Sequence, residues 1–385
     1  MQDTFNFDQI IPRRGTGSLK WDKSPELDPF WVADMDFLSP PAVIDAIQER
    51  VAHGVFGYAI PHSGLLDALI GYMQERHQVQ VEENEILHLG GLVPALSLAA
   101  RAFGKPGDSV MTCTPIYPPF LGIQSDAKMN LISVPHCQID EQWGFDWEAM
   151  EAAVTEQTKI FLLSNPQNPL GRVFTKEELI TLAEFCERHD LILVSDEIHC
   201  DLILDDAKTP HICAASLPAE FQKRIITLLA PSKTYNIAGL GYAFAVIKDD
   251  SLRRKFAAAR GHTLPEINCI AYYAAEASYK HGKPWRQALV KYLAKNRDDL
   301  TDFVQKQLPG CSVPNIEATY LALIDCNGLA NQLDGQNPAS YFEKEAGLYL
   351  SDSQFFGTPG HIRFNFGCPN TRLLEGLEKM SNIIA

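Results

Sequence analysis

The chain has 385 residues, 46% hydrophobic and 21% charged, with a formal net charge of -15. That length suffices for a sizeable core and about two or three domains. So acidic a surface repels phosphodiester backbones and anionic lipid, which argues against nucleic acid and membrane as partners. The 9 cysteines contain no Cys-x-x-Cys pair and no Cys/His cluster of zinc spacing, so no metal is expected and the thiols read as free in a reducing cytoplasm. No run approaches the ~18 apolar residues of a membrane span, and Met1 to Gly15 lacks the apolar core of a signal peptide.

In chain order, the stretch up to Trp31 is rich in turns and charge, lacks helical periodicity and reads as an arm. Ser39 is placed to cap a helix with Pro40 and Pro41 in its first turn, and Val43, Ile44, Ile47 and Val51 follow at helical spacing. Gly54 to Gly64 is a loop, and Leu65, Leu66, Leu69, Ile70 and Met73 mark a second helix. From Ile86 to Ile247 short apolar runs alternate with helical segments: Ile86–Leu89, Ser109–Cys113, Leu131–Val134, Ile160–Leu163, Leu191–Val194, Ile225–Leu229 and Ala243–Ile247. Such runs resemble strands buried on both faces. Thr175 and Glu178 offer a capping box between two of them. The alternation predicts an α/β fold with a mostly parallel seven-stranded sheet and helices on both faces. Ligands in such sheets bind beyond the carboxyl ends of the strands. After about residue 285 come a long charged helix from Trp285 to about Gln307, a strand Tyr320–Ile324, a helix near Pro338–Ala346, a strand Ile362–Phe366 and a final helix from about Thr371. This pattern predicts a smaller α+β domain. The expected division is 1–45 as arm and part of the small domain, 46–284 as the large domain, and 285–385 as the remainder of the small one.

Three expected strand ends carry chemistry: Ser164 to Gly171, reading Ser-Asn-Pro-Gln-Asn-Pro-Leu-Gly; Asp196-Glu197-Ile198-His199; and Ser232-Lys233-Thr234. Each alone has a plain explanation, since a loop lysine is usually a solvated charge and an aspartate after a strand often caps a helix. On successive strand ends of one sheet they form a constellation. Gly90 and Gly91 follow a strand and open a helix, where the backbone amides suit a phosphate, although a glycine pair equally makes a tight turn.

This order of motifs resembles the fold-type-I pyridoxal 5′-phosphate (PLP) enzymes of the aminotransferase class I/II superfamily, over nearly the whole chain. The resemblance implies that Lys233 carries PLP as a Schiff base and takes the substrate Cα proton, that Asp196 binds the pyridine nitrogen, and that Asn168 binds the ring oxygen. It further implies that Gly91, Leu92 and Val93 hold the phosphate end, that Ser232 and His199 are among the cofactor-binding residues, and that Tyr117 stacks on the ring and takes part in catalysis. The resemblance also implies that Tyr58 reaches the phosphate of a neighbouring subunit in a homodimer, and that Arg363 forks the substrate carboxylate. An electron-sink cofactor needs a protonated pyridine nitrogen, which an adjacent carboxylate favours, and a nucleophilic amine near neutral pH.

Two departures from the usual aminotransferase pattern separate branches. No arginine follows eight or nine residues after Lys233, where the chain reads Asn236 to Tyr242, and His199 stands where tyrosine is frequent. Those features, with Arg13 to Asp22, Trp31 to Phe37 and Arg363 to Pro369, resemble the cystathionine β-lyase branch of MalY/PatB type, in which Asp34 falls among the expected substrate-binding residues. Gly17 departs from that branch, which usually has asparagine there. The activity implied is carbon–sulfur β-lysis of L-cystathionine or a related cysteine S-conjugate to a thiol, pyruvate and ammonia. The alternatives are an aminotransferase, which shares the same carbanion, and a regulatory partner-binding protein on the same fold.

Overall fold

The computed structural model describes residues 5–139, 142–261, 264 and 266–384, so the first four residues of the expected arm lie outside it. Seven strands form the main sheet: β1 (Ile86–Leu89), β2 (Ser109–Thr114), β3 (Asn130–Pro135), β4 (Thr158–Ser164), β5 (Ile192–Asp196), β6 (Ile225–Leu229) and β7 (Ala243–Val246). Their spatial order is β1-β7-β6-β5-β4-β2-β3. All neighbours run parallel except β7, which is antiparallel to both β1 and β6. All seven apolar runs are strands, two of them with the expected bounds and the rest shifted by one or two residues.

Burial follows position in the sheet. β2, β6 and β7 are buried at every residue, because helices cover both faces. Val110, Leu162, Val194 and Leu228 face the helices Leu92–Phe103 and Asp250–Arg260. Met111, Phe161, Leu193 and Ile225 face the helix Lys176–Arg188, and Ile86, Leu229 and Phe244 face Ser63–His77 and Cys269–His281. The edge strands depart from the expectation of full burial: β3 exposes Asn130, Ser133 and Pro135, since it has a neighbour on one side only.

Local signals explain most helix ends. Thr175 and Glu178 make the expected reciprocal capping box. Ser39 does not cap: the helix Pro41–Ala52 has Pro40 at its N-cap, and Ser39 Oγ donates instead to Asn236 O at 3.1 Å. The hydroxyl is drawn to a partly buried long-range acceptor in preference to local amides.

A smaller α+β part contains β8 (Leu321–Asp325), β9 (Ser351–Asp352) and β10 (His361–Asn365), antiparallel in the order β8-β10-β9. The helices Lys283–Gln307, Pro338–Ala346 and Asn370–Ile384 surround it. Both strands lie one residue from their expected positions. The arm joins this part, with Asp28 and Pro29 pairing in parallel with Leu348 and Tyr349. Contrary to expectation it includes one helical turn, Leu19–Asp22. Phe30, Met35 and Phe37 share a core with Trp285, Phe342, Phe364 and Leu373.

Phe30 and Phe364 stack at 4.5 Å between ring centroids, and both are almost wholly excluded from solvent. Truncating Phe364 to Ala leaves a cavity where arm and β10 meet. The expected cost is about 3–5 kcal/mol of unfolding free energy, measured by urea titration. A loss below about 1 kcal/mol would mean that the arm collapses into the gap.

Candidate active site

The carboxyl ends of β4, β5 and β6 stand level, because Ser164 pairs with Asp196 and Asp196 with Leu228. β7 begins where β1 ends, Ala243 opposite Leu89, which brings Gly241 and Gly90 to the same level. A cavity of about 210 Å³ opens there. Its wall includes Ala33, Gly90 to Val93, Tyr117, Ser164, Asn168, Asp196, His199, Ser232, Lys233 and Tyr242. Ten of the twelve residues singled out from sequence are therefore brought together: nine line the cavity, and Arg363 bonds to Asn168 beside it.

Lys233 Nζ donates to Ala33 O at 2.8 Å. Burial, reinforced by Arg363, pushes this amine down to about 8. Burial likewise pushes the Asp196 carboxyl up to about 7, although it accepts from Ile198 N at 3.0 Å. His199 is driven down to about 3 by burial and by the cations Lys233 and Arg363, so its imidazole is neutral. Its Nδ1 is buried without a partner.

At the other end of the cavity Gly91 takes φ +137° and places the N-terminus of a 12-residue helix in the wall. The first amides of that helix have no intrahelical acceptor and suit an anion. The arginine-free stretch folds as the turn Ala238–Leu240 followed by Gly241 at φ +63°. That left-handed conformation favours glycine, and a Cβ there would be in ordinary contact with Gly90 O at 3.5 Å.

Arg363 is buried on β10. Its Nη1 donates to Asn168 Oδ1 at 3.2 Å, and its Nη2 to Trp31 O at 2.7 Å and Ser351 Oγ at 3.3 Å. Its Nε is buried and unpartnered, and burial lowers it to about 10. All three partners are neutral, and a guanidinium held this way invites a planar anion. Asp34, by contrast, already has a cation: Arg13 binds both its oxygens, at 2.8 and 3.3 Å, and Ala33 takes the place in the cavity wall. Tyr58 stands fully exposed, away from this chain's cavity, beside the exposed Val55, Phe56 and Ile60.

These residues fit a phosphate-bearing pyridine cofactor. A buried carboxyl without a cation of its own faces the cavity, a depressed amine stands opposite, and helix amides form the far end. Sequence reasoning missed what holds the arm above them. Six successive carbonyls, Phe30 to Met35, each accept from at least one donor outside the arm. Asn365 N bonds Phe30 O, and Asn365 Nδ2 bonds Val32 O and Asp34 O at 2.6 and 2.7 Å. Ser351 Oγ joins Arg363 on Trp31 O, and Tyr320 Oη joins Lys233 on Ala33 O. Asn236 Nδ2 bonds Met35 O and Phe37 O, and its Oδ1 accepts from Met35 N. Asn236 lies three residues after Lys233, and Asn365 two after Arg363, which was the available signal.

The family described as aminotransferase class I and II matches residues 30–380, and this chain belongs to it. The chain is similar to the cystathionine beta-lyase PatB of Bacillus subtilis (strain 168), with 37% identity over 385 residues, 97% of this chain and 98% of that one. Among solved structures, that of OvoB matches with a TM-score of 0.94 at 40% identity, over 99% of both chains. The PLP-bound C–S lyase from Staphylococcus hominis matches with a TM-score of 0.91 at 31% identity, over 99% of this chain and 98% of that one.

The raised Asp196 makes a stability prediction for the cofactor-free protein. Below the ordinary carboxylate value of 3.8 both folded and unfolded chains are protonated there, and Asp196 costs nothing. As pH rises the unfolded chain loses its proton first, so stability falls until about pH 7 and the cost is constant above it. Asp196→Asn is therefore expected to stabilise the cofactor-free protein at pH 8 by about 1–3 kcal/mol. The gain should shrink as pH is lowered from 7 to 5. Equal stability of the two proteins at pH 8 would contradict it.

Proposed function

We propose that this protein is a PLP-dependent carbon–sulfur β-lyase of the cytoplasm, taking L-cystathionine or another cysteine S-conjugate to a thiol, pyruvate and ammonia. The observation that carries the reading is the buried Arg363 guanidinium. It has no carboxylate partner among the described residues and is joined through Asn168 to the wall that holds Lys233 and Asp196. The similarity to PatB and to the C–S lyase supports the lyase branch.

When bound, the cofactor supplies an electron sink for the pair left at the substrate Cα. The chain's own groups do the rest. Arg363 binds and orients the α-carboxylate through its guanidinium, whose Nε is still without a partner. Lys233, lowered to about 8, has a substantial neutral fraction at physiological pH and takes the Cα proton. Asp196 holds a proton on the pyridine nitrogen, which in turn stabilises its buried charge. Asn168 donates to the ring oxygen while its own Oδ1 stays on Arg363, coupling ring position to carboxylate position. Gly91, Leu92, Val93 and Ser232 bind the phosphate, Tyr117 packs on the ring, and neutral His199 adds no competing cation. Asp34 acts on the substrate side through its pair with Arg13, which sets the arm.

The working unit is a homodimer in which Tyr58 serves the partner's site. The support is the exposed apolar loop itself: Val55, Phe56, Tyr58 and Ile60 are each more than half exposed, and contiguous exposed apolar side chains mark interaction surfaces.

Single turnover with L-cystathionine and no keto acid tests the activity. Thiol and pyruvate should appear in equal amounts while the cofactor spectrum returns to its starting form. If turnover needs an added keto acid and the cofactor accumulates in aminated form, the enzyme is an aminotransferase. Arg363→Ala should lower kcat/KM about 100-fold, mostly through KM, given ~1.5–3 kcal/mol per charge-assisted hydrogen bond. An unchanged KM would remove Arg363 from substrate binding. Mixing Lys233→Ala chains with Tyr58→Ala chains should restore activity in hybrid dimers. No recovery, despite subunit exchange shown by native mass spectrometry, would contradict the shared site.

A further inference from the structure

Two sulfurs far from the cavity stand close together. Cys311 and Cys326 are both free thiols with their Sγ atoms 3.9 Å apart. Their neighbours explain the proximity. Ser312 and Asp325 form an isolated antiparallel bridge in which each amide donates to the other's carbonyl, at 3.0 and 2.8 Å. One step outward, Cys311 opposes Cys326 as a non-hydrogen-bonded pair, and their amides go elsewhere, to Leu308 O and Gly360 O. Residues opposed in this way have Cα atoms about 4.5 Å apart and side chains on one face. Disulfides accept Cα separations of ~4.4–6.8 Å.

A second feature presses the segments together. Gly310, at φ +86°, and Gly328 meet backbone to backbone: a Cβ on Gly328 would lie 2.5 Å from Gly310 O. Any side chain at that crossing would push the cysteines apart. The pair is also asymmetric in access, with Cys311 partly exposed and Cys326 buried.

We propose that Cys311 and Cys326 form a redox-modifiable dithiol that closes into an intrachain disulfide on meeting a low-molecular-weight disulfide such as oxidised glutathione. The accessible Cys311 thiolate attacks one sulfur of the reagent and expels the first thiolate. The Cys326 thiol, which its bond to Cys311 and burial hold above the ordinary thiol range, gives up its proton as its sulfur attacks the Cys311 sulfur of the mixed disulfide and expels the second thiolate. The protein loses two electrons, the reagent gains them, and the two cysteine protons end on the two released thiols. The Cys326 thiol beside it holds Cys311 below the ordinary thiol range, which favours Cys311 as the attacking group. The bond ties the segment after the helix Lys283–Gln307 to the end of β8, which pairs with the Arg363 strand. It does not enter the cavity, and it stands whether or not the lyase reading holds.

The test uses the intact holoenzyme incubated with oxidised glutathione, quenched by alkylation, digested without reduction and mapped by mass spectrometry. The expected result is a cross-linked peptide pair containing Cys311 and Cys326, two hydrogens lighter than the reduced peptides, with a rise in Tm that dithiothreitol reverses. Cys311→Ser should show neither change. Cys326→Ala should stop at a stable glutathione adduct on Cys311. The proposal is overturned if wild-type Cys311 is recovered as the glutathione adduct, or free, while partly exposed Cys137 has reacted. It is equally overturned if the cross-link forms only in denaturant.

Discussion

Arg363 sits in the interior bonded only to neutral oxygens, those of Asn168, Trp31 and Ser351. Removing a guanidinium from water without a carboxylate is expensive, and the chain meets part of that cost with three dipoles drawn from three different elements. One dipole is on the β4 loop, one on the arm and one on β9. The cation therefore acts as a joint between the main sheet and the smaller part, and its position depends on all three being in place. The charge is thereby already desolvated and oriented beside the cavity wall.

The arm, unlike the cavity wall, pairs its buried charges. Asp36 receives Lys20 at 2.8 Å, Arg13 at 2.6 Å and Trp21 Nε1 at 2.8 Å, and this surrounds it so well that its carboxyl falls below the usual range despite burial. Asp34 is paired with Arg13 in the same cluster. Within one stretch of chain, then, the acids of the arm are neutralised and act as structure, while Asp196, Lys233 and Arg363 a short distance away are held off their ordinary values by burial. The contrast marks which charges are spent on folding and which are kept available for a ligand.

Carbonyl accounting links the two regions. From Phe30 to Met35 the arm above the cavity is fixed largely by amide and hydroxyl side chains from near Lys233, from β9, from β10 and from Tyr320. Lys233 itself is one of those donors, so the amine in the cavity wall also touches the strap in this state. A shift of the amine away from Ala33 O leaves Tyr320 Oη as that carbonyl's remaining partner, and the arm keeps its place.

The amino-acid sequence by itself determined the sheet, because a strand buried on both faces must be a short apolar run, and seven such runs mark seven strands. It also placed Asn168, Asp196 and Lys233, because residues immediately after parallel strands end up side by side at one edge. Capping at Ser39 was misread from the same local rules, since a hydroxyl can satisfy a distant carbonyl as readily as a nearby amide, and only the packing of the arm on Asn236 decides between them. The partnering of Asp34, the neutral surroundings of Arg363, the clamps made by Asn236 and Asn365, and the meeting of Cys311 with Cys326 were likewise decided by tertiary structure. Each joins residues through space, across separations from 15 positions to more than 300, and hydrophobic periodicity carries no information about which polar groups will face one another once the core has closed.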